Sequence, residues 1–160
     1  MKLRPVVYVI GSLRNPTIPT LGNALETLGW EAFTDWHSAG PNADDEWQKH
    51  ERARGRMYKE ALKGYHAKHV FYFDKHHLDR ADAGLLVLPA GKSCCWELGY
   101  MAGQVKDTYI LFQEYPKDGR WDIMFTACTD VFFSEEEMMK GLRLNGLNYD
   151  DNQQTNEGER

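Results

Sequence analysis

The apolar residues of this chain fall in short, nearly continuous blocks rather than in one long periodic pattern. Residues 5–10 (PVVYVI), 83–88 (AGLLVL) and 108–112 (TYILF) each read as a strand with both faces buried. WEAFTDW, residues 30–36, is a shorter strand, and residues 130–133 (DVFF) form another. Between these blocks the pattern becomes helical. Residues 19–28 form a helix closed by Gly29. Asp44 or Asp45 caps a long polar helix running toward Lys63, with Gly64 as its break. A further helix spans residues 95–105, and the last is capped by Ser134 with Glu137 at the capping-box position. HAKHVFYFDKHHLDRAD, residues 66–82, is the ambiguous segment. Read as a helix, it turns Ala67, Val70, Phe71, Asp74, Leu78 and Ala81 to one side.

Strands alternating with helices imply a parallel sheet covered on both faces. The expected fold class is therefore α/β, a three-layer Rossmann- or flavodoxin-like domain with a parallel sheet of about five strands. One domain covers residues 1–147, and residues 148–160 are a polar, disordered tail. Ligands of such folds bind beyond the carboxyl ends of the strands. That rule selects three loops, at residues 11–17, 35–45 and 89–97.

Charge and composition narrow the partner. The net charge is −5 and no basic stripe appears, which excludes a nucleic-acid polymer but not a small nucleotide. No apolar run approaches the roughly 20 residues of a membrane span, and VVYVI is too short for the core of a signal peptide. The three cysteines, Cys94, Cys95 and Cys128, are odd in number and two are adjacent, which points to a reducing cytoplasm rather than a disulfide framework. Zinc-type spacing is missing and His76 and His77 point to different faces, so no metal and no cofactor is expected.

The chemistry concentrates on two carboxylates. Glu97 follows a buried strand at the start of a helix, where the helix dipole favours an ionised carboxylate by about 0.3–1 kcal/mol. It is either a nucleophile or a glutamate that complements the dipole. Asp74 falls on the apolar stripe, where burial raises a carboxyl pKa as a general acid requires. Its other reading is an N-cap for KHHLDRAD. Two carboxylates flanking a substrate are what glycosidic cleavage needs. Gly11 allows close backbone approach, Ser12 offers a hydroxyl and Arg14 a charge. Ser93 either holds a phosphate or sugar hydroxyl or caps the helix. Trp36 and His37 either contact a base or pack a lid.

These residues carry a resemblance to the nucleoside 2-deoxyribosyltransferase superfamily, which includes the 2'-deoxynucleoside 5'-monophosphate N-glycosidases. VYVIGSLRN resembles that family's first strand and its Gly-Ser-Ile-Arg-Gly loop. DKHHLDRADAGLLVLPAGKSCCWELGYMAG resembles its block of an aspartate, an "AD" pair, an apolar strand, a serine-bearing loop and "ELG". The likeness runs from about Val6 to Phe125. It implies an active-site tyrosine at Tyr8, a catalytic acid at Asp74 and a nucleophile at Glu97, with Ser93 near the phosphate-binding serine. It also implies a homodimer or higher homo-oligomer whose sites are completed by a neighbour, and a small-molecule nucleoside or nucleotide as partner.

One position departs from the pattern. In WDIMF, Asp122 stands where the nucleotide hydrolases carry a serine that reaches phosphate. A carboxylate there repels phosphate and favours an unphosphorylated nucleoside. The expected activity is cleavage or transfer of the N-glycosidic bond of a (deoxy)nucleoside or nucleotide, by a retaining mechanism with a glutamate nucleophile. Two alternatives stand beside it: a TIR-like NAD glycohydrolase, whose motif SCCWE loosely resembles, and a non-catalytic nucleotide-binding sensor or sponge.

Overall fold

The computed structural model describes residues 3–144. The predicted tail, residues 148–160, and the predicted domain limit at residue 147 lie outside them.

Five strands form one all-parallel sheet: β1 (Val6–Ile10), β2 (Glu31–Phe33), β3 (Ala83–Leu88), β4 (Asp107–Phe112) and β5 (Asp130–Phe132). Their order across the sheet is β2-β1-β3-β4-β5. The chain alternates these strands with helices α1 (Ile18–Thr27), α2 (Ala43–Ala53), α3 (Tyr58–Ala61), α4 (Tyr65–Arg80), α5 (Lys92–Gly103) and α6 (Glu135–Gly141). Alternate residues of the central strands feed two separate cores. Val7, Val9, Leu85 and Val87 pack with Leu21 and Leu25 of α1 and Met138 of α6. Tyr8, Ile10, Leu86 and Ile110 pack with Leu78 of α4 and with Leu98 and Met101 of α5. The expected three-layer α/β architecture is thus observed, with helices on both faces of the sheet.

Several boundaries differ from the sequence reading. The long polar helix toward Lys63 is two helices, because Gly55 adopts a left-handed φ of 74° just after the α2 C-cap at Arg54. The chain restarts as α3 when the Glu60 side chain accepts the Met57 N–H at 2.8 Å. Asp44 and Asp45 sit inside the first turn of α2 rather than capping it, and the N-cap is Asn42. Strand β2 stops at Phe33, since Asp35–Ala39 coil into a 3₁₀ turn. Helix α5 begins at Lys92 rather than at Cys95, so Glu97 stands in its second turn, clear of the first-turn dipole advantage expected for it. Asp74 lies deep inside the 16-residue α4, which removes its N-cap reading. Of the six stripe positions on α4, only Leu78 and Ala81 are buried, while Val70 and Phe71 are each 44 % exposed. Ser134 caps α6 as read, its hydroxyl accepting from Glu137 N–H at 3.1 Å, but the box does not close on Ser134: the Glu137 carboxylate accepts from Phe133 N–H, one residue before the N-cap.

Gly84 sets the distance between α5 and the sheet. It pairs with Tyr8 across β1 and β3. A Cβ at this position would lie 2.6 Å from Met101 Sδ and 3.5 Å from Ile10 Cδ1. Both neighbours are fully buried. Gly84→Ala is expected to cost about 1–3 kcal/mol by overpacking. Urea melts of the two proteins check this, and an unchanged midpoint would show that Met101 has room to move.

Candidate active site

In a 2-1-3-4-5 sheet the order in which strands are added reverses between β1 and β3, and the loops at their carboxyl ends part to leave a crevice. A cleft of about 1620 Å³ opens there. Tyr8 comes from β1, Gly11 from the loop after it, Trp36 from the 3₁₀ turn after β2, Asp74 from α4, and Ser93 and Glu97 from α5; all six line this one cleft. Gly11 is needed for the close approach at its floor. A Cβ there would lie 2.7 Å from Ile18 Cδ1 and 3.7 Å from the Trp36 ring. The Trp36 indole N–H donates to Val9 O at 2.8 Å and so fixes the ring against the end of β1.

The other predicted residues are held elsewhere. The Ser12 hydroxyl accepts the Arg14 N–H at 3.1 Å, a local turn bond. The Arg14 guanidinium pairs with Asp45 at 3.1 Å on the surface. His37 Nε2 lies 2.9 Å from Asn15 O. The Asp122 carboxylate accepts the Met124 N–H at 2.9 Å and caps a 3₁₀ turn, Ile123–Ala127. None of these four lines the cleft of its own chain.

The electrostatics of the inner cleft are dominated by desolvation. Burial pushes the Glu97 carboxyl up to about 8, with the neighbouring Asp74 charge adding to the rise. Burial also lifts the Asp74 carboxyl to about 6. The Tyr8 phenol is raised far above its ordinary value by burial first, then by Glu97 and Asp74. It stays a neutral donor throughout the range in which the carboxylates titrate. Among the described residues no hydrogen bond joins Tyr8 to Glu97. The three groups are coupled through charge, the acid pair behaving as one system that releases a proton near 6 and another near 8.

Cys94 also lines the cleft and was not among the expected site residues. Its thiol donates to Gly11 O at 3.2 Å, tying the start of α5 to the loop after β1. Its place three residues before Glu97, one helical turn away, was the available signal. The outer wall, built by α2, α3 and the first turns of α4, was also missed. Its polar residues look like an ordinary solvated face in the sequence. Among the described residues no cluster of His, Cys, Asp and Glu is arranged to hold a metal ion, and no helix is long and apolar enough to cross a membrane.

Comparison with solved structures returns a 2-deoxyribosyltransferase from the psychrotolerant bacterium Bacillus psychrosaccharolyticus. The two chains share a fold. The TM-score is 0.59 at 13 % sequence identity, over 87 % of this chain and 96 % of that one. No family model matches the sequence, and no curated protein does.

The raised carboxyl groups make stability depend on pH with a definite sign. Between about 4.5 and about 8 the folded protein keeps a Glu97 proton that the unfolded chain has lost. Stability contributed by this group is therefore fully present at low pH and falls as pH rises through that window. Glu97→Gln cannot ionise and escapes the loss. Its melting temperature should exceed that of wild type by an amount that grows from pH 5 to pH 9, reaching several degrees, since about 1 kcal/mol moves the midpoint of a domain this size by ~2–4 °C. A constant difference across that range would contradict the burial of an ionisable Glu97.

Proposed function

We propose that the protein cleaves or transfers the N-glycosidic bond of a (deoxy)nucleoside or nucleotide through a retaining double displacement. The observation that carries this reading is the meeting of Tyr8, Asp74 and Glu97 in one cleft at the carboxyl ends of the strands. The shared fold with a 2-deoxyribosyltransferase is consistent with it.

In the first step the Glu97 carboxylate attacks the anomeric carbon. The carbon–nitrogen bond breaks, its electron pair passes to the departing base, and Asp74 supplies the proton that base takes up. This leaves a glycosyl ester on Glu97. In the second step Asp74, now a carboxylate, removes a proton from water or from an incoming base. That acceptor attacks the same carbon and releases Glu97 as a carboxylate. Tyr8 donates a hydrogen bond to Glu97 when it is ionised, a contact that tightens in the substrate complex. Trp36 presents a rigid face for the base, and Ser93 a hydroxyl for the sugar.

The productive ionisation has one proton on the pair; in the free protein it rests on Glu97, whose affinity is the higher, and substrate binding has to move it to Asp74 before the attack. With steps near 6 and 8, kcat/KM should be bell-shaped with a maximum close to pH 7. Asp74→Asn should lower turnover by about 10²–10⁴-fold and flatten one limb of the bell. Glu97→Ala should abolish base release while substrate still binds. Both are read by chromatography of released base from a panel of nucleosides and 5'-monophosphates, with and without an acceptor base. Full turnover by Glu97→Ala would remove it from the mechanism.

Trp121, Ile123 and Met124 are 75, 83 and 74 % exposed, a concentration of apolar surface that a lone soluble chain rarely carries. We infer that this segment packs in a homo-oligomer. Sedimentation at micromolar concentration should give a species of at least twice 18.5 kDa, and Trp121→Glu with Met124→Glu should dissociate it. A single 18.5 kDa species for wild type would overturn the inference.

A further inference from the structure

The cleft is larger than the proposed reaction requires. Pockets for small ligands span about 300–1,000 Å³, whereas this one reaches about 1620 Å³. The excess lies away from Tyr8, Asp74 and Glu97, where α2, α3 and the first turns of α4 form the walls. Its chemistry differs from that of the inner end. Arg54, Arg56, Lys63, His66 and His69 line it. The acids on the same wall are engaged: Glu46 by Lys49, Glu51 by Arg56 and Glu60 by the Met57 N–H. Arg54 and Lys63 have no ion pair among the described residues. Asp35 and Asp44, which have no ion pair among the described residues, belong to the opposite end, with Asp44 ten residues before Arg54 along α2, ~15 Å by helical rise. Two aromatic side chains flank the cations: Trp47, half-buried, and Tyr65, 88 % exposed.

We propose that the outer cleft is a second binding subsite and that the substrate is a dinucleotide, two nucleosides joined through a pyrophosphate. This rests on the reading that Asp74 and Glu97 flank the scissile bond. Reach separates a dinucleotide from a monophosphate. The phosphorus of a 5'-phosphate is five bonds from the anomeric carbon, at most ~7 Å at ~1.5 Å per single bond. On α4, His69 stands five residues from Asp74, ~7.5 Å along the axis, and His66 eight residues away, ~12 Å. Lys63 precedes the helix and lies beyond both. A first phosphate reaches His69; only a second phosphate with its attached nucleoside extends to His66, Lys63 and Arg54. The second base then has Trp47 and Tyr65 to stack on, as every base offers a π-face.

Binding and turnover test this separately. For each common base, the nucleoside, its 5'-monophosphate and its 5'–5' pyrophosphate-linked dimer are titrated calorimetrically into the Glu97→Ala protein. The dimer of at least one base should bind about tenfold or more tighter than the matching monophosphate, ~1.4 kcal/mol. The exposed pair Arg54→Ala and Lys63→Ala, added to that background, should erase the margin. Equal binding of dimer and monophosphate for every base, or a margin that survives both substitutions, overturns the subsite. Should wild type release base from nucleosides yet show no dimer margin, the subsite is wrong and the glycosidic reading stands. A margin that responds to Arg54 and Lys63, with no base released from any compound, supports the subsite and overturns the reaction.

Discussion

A parallel sheet whose strands are apolar on both faces has to be covered twice, and the rest of this molecule follows from that requirement. All five residues of β1 are buried, and so are the first five of β3. Helices α1 and α6 therefore close one face while α4 and α5 close the other. Crossing from one face to the other between β1 and β3 leaves the carboxyl ends of those two strands without a helix directly above them. The cleft is the gap that coverage cannot fill. Its floor is made of groups that belong to the core, with Tyr8 in the α4–α5 cluster and Trp36 packed against both clusters.

Placing two carboxyl groups at that gap has an electrostatic result. Among the described residues neither Glu97 nor Asp74 forms a salt bridge, and each loses water on folding. The pair keeps one proton through the neutral range, because burial disfavours charge on both groups and the Asp74 charge opposes a second one on Glu97. The energy stored in this way is a cost to the folded state at high pH. It also separates the two proton affinities, Glu97 holding its proton more tightly than Asp74. A neutral Tyr8 beside them adds a donor and no charge.

The fold was legible because its signal is long and redundant: three continuous apolar blocks separated by helix-length segments leave few alternatives to a parallel sheet. The meeting of the inner residues in one cleft was legible for the same reason. Tyr8, Gly11 and Glu97 are positioned by strand ends that the sequence marks clearly. What failed to show was local or long-range in other ways. The restart of the chain at α3 depends on one glycine in a left-handed conformation and one side chain, Glu60, reaching back to Met57. Arg14 looked like a substrate ligand, yet an aspartate 31 residues away in the chain takes it. Asp122 looked like a group facing substrate, and a backbone N–H two residues on takes it instead. Hydrogen-bond partners of exposed polar residues are chosen by loop geometry, which apolar patterning does not encode.

Cys94 carries a consequence for the chemical durability of the cleft. Burial and the adjacent Glu97 push its thiol up to about 11, and the sulfur is occupied in donating to Gly11 O. At neutral pH it is almost entirely S–H, and alkylating agents and peroxide react with thiolate rather than thiol. Cys95, its neighbour in sequence, is exposed on the far side of the helix turn. An oxidant meeting this protein encounters Cys95 first and leaves untouched the sulfur that holds α5 to the loop after β1. The two adjacent cysteines differ in access to solvent, and the inner one is shielded beside Glu97.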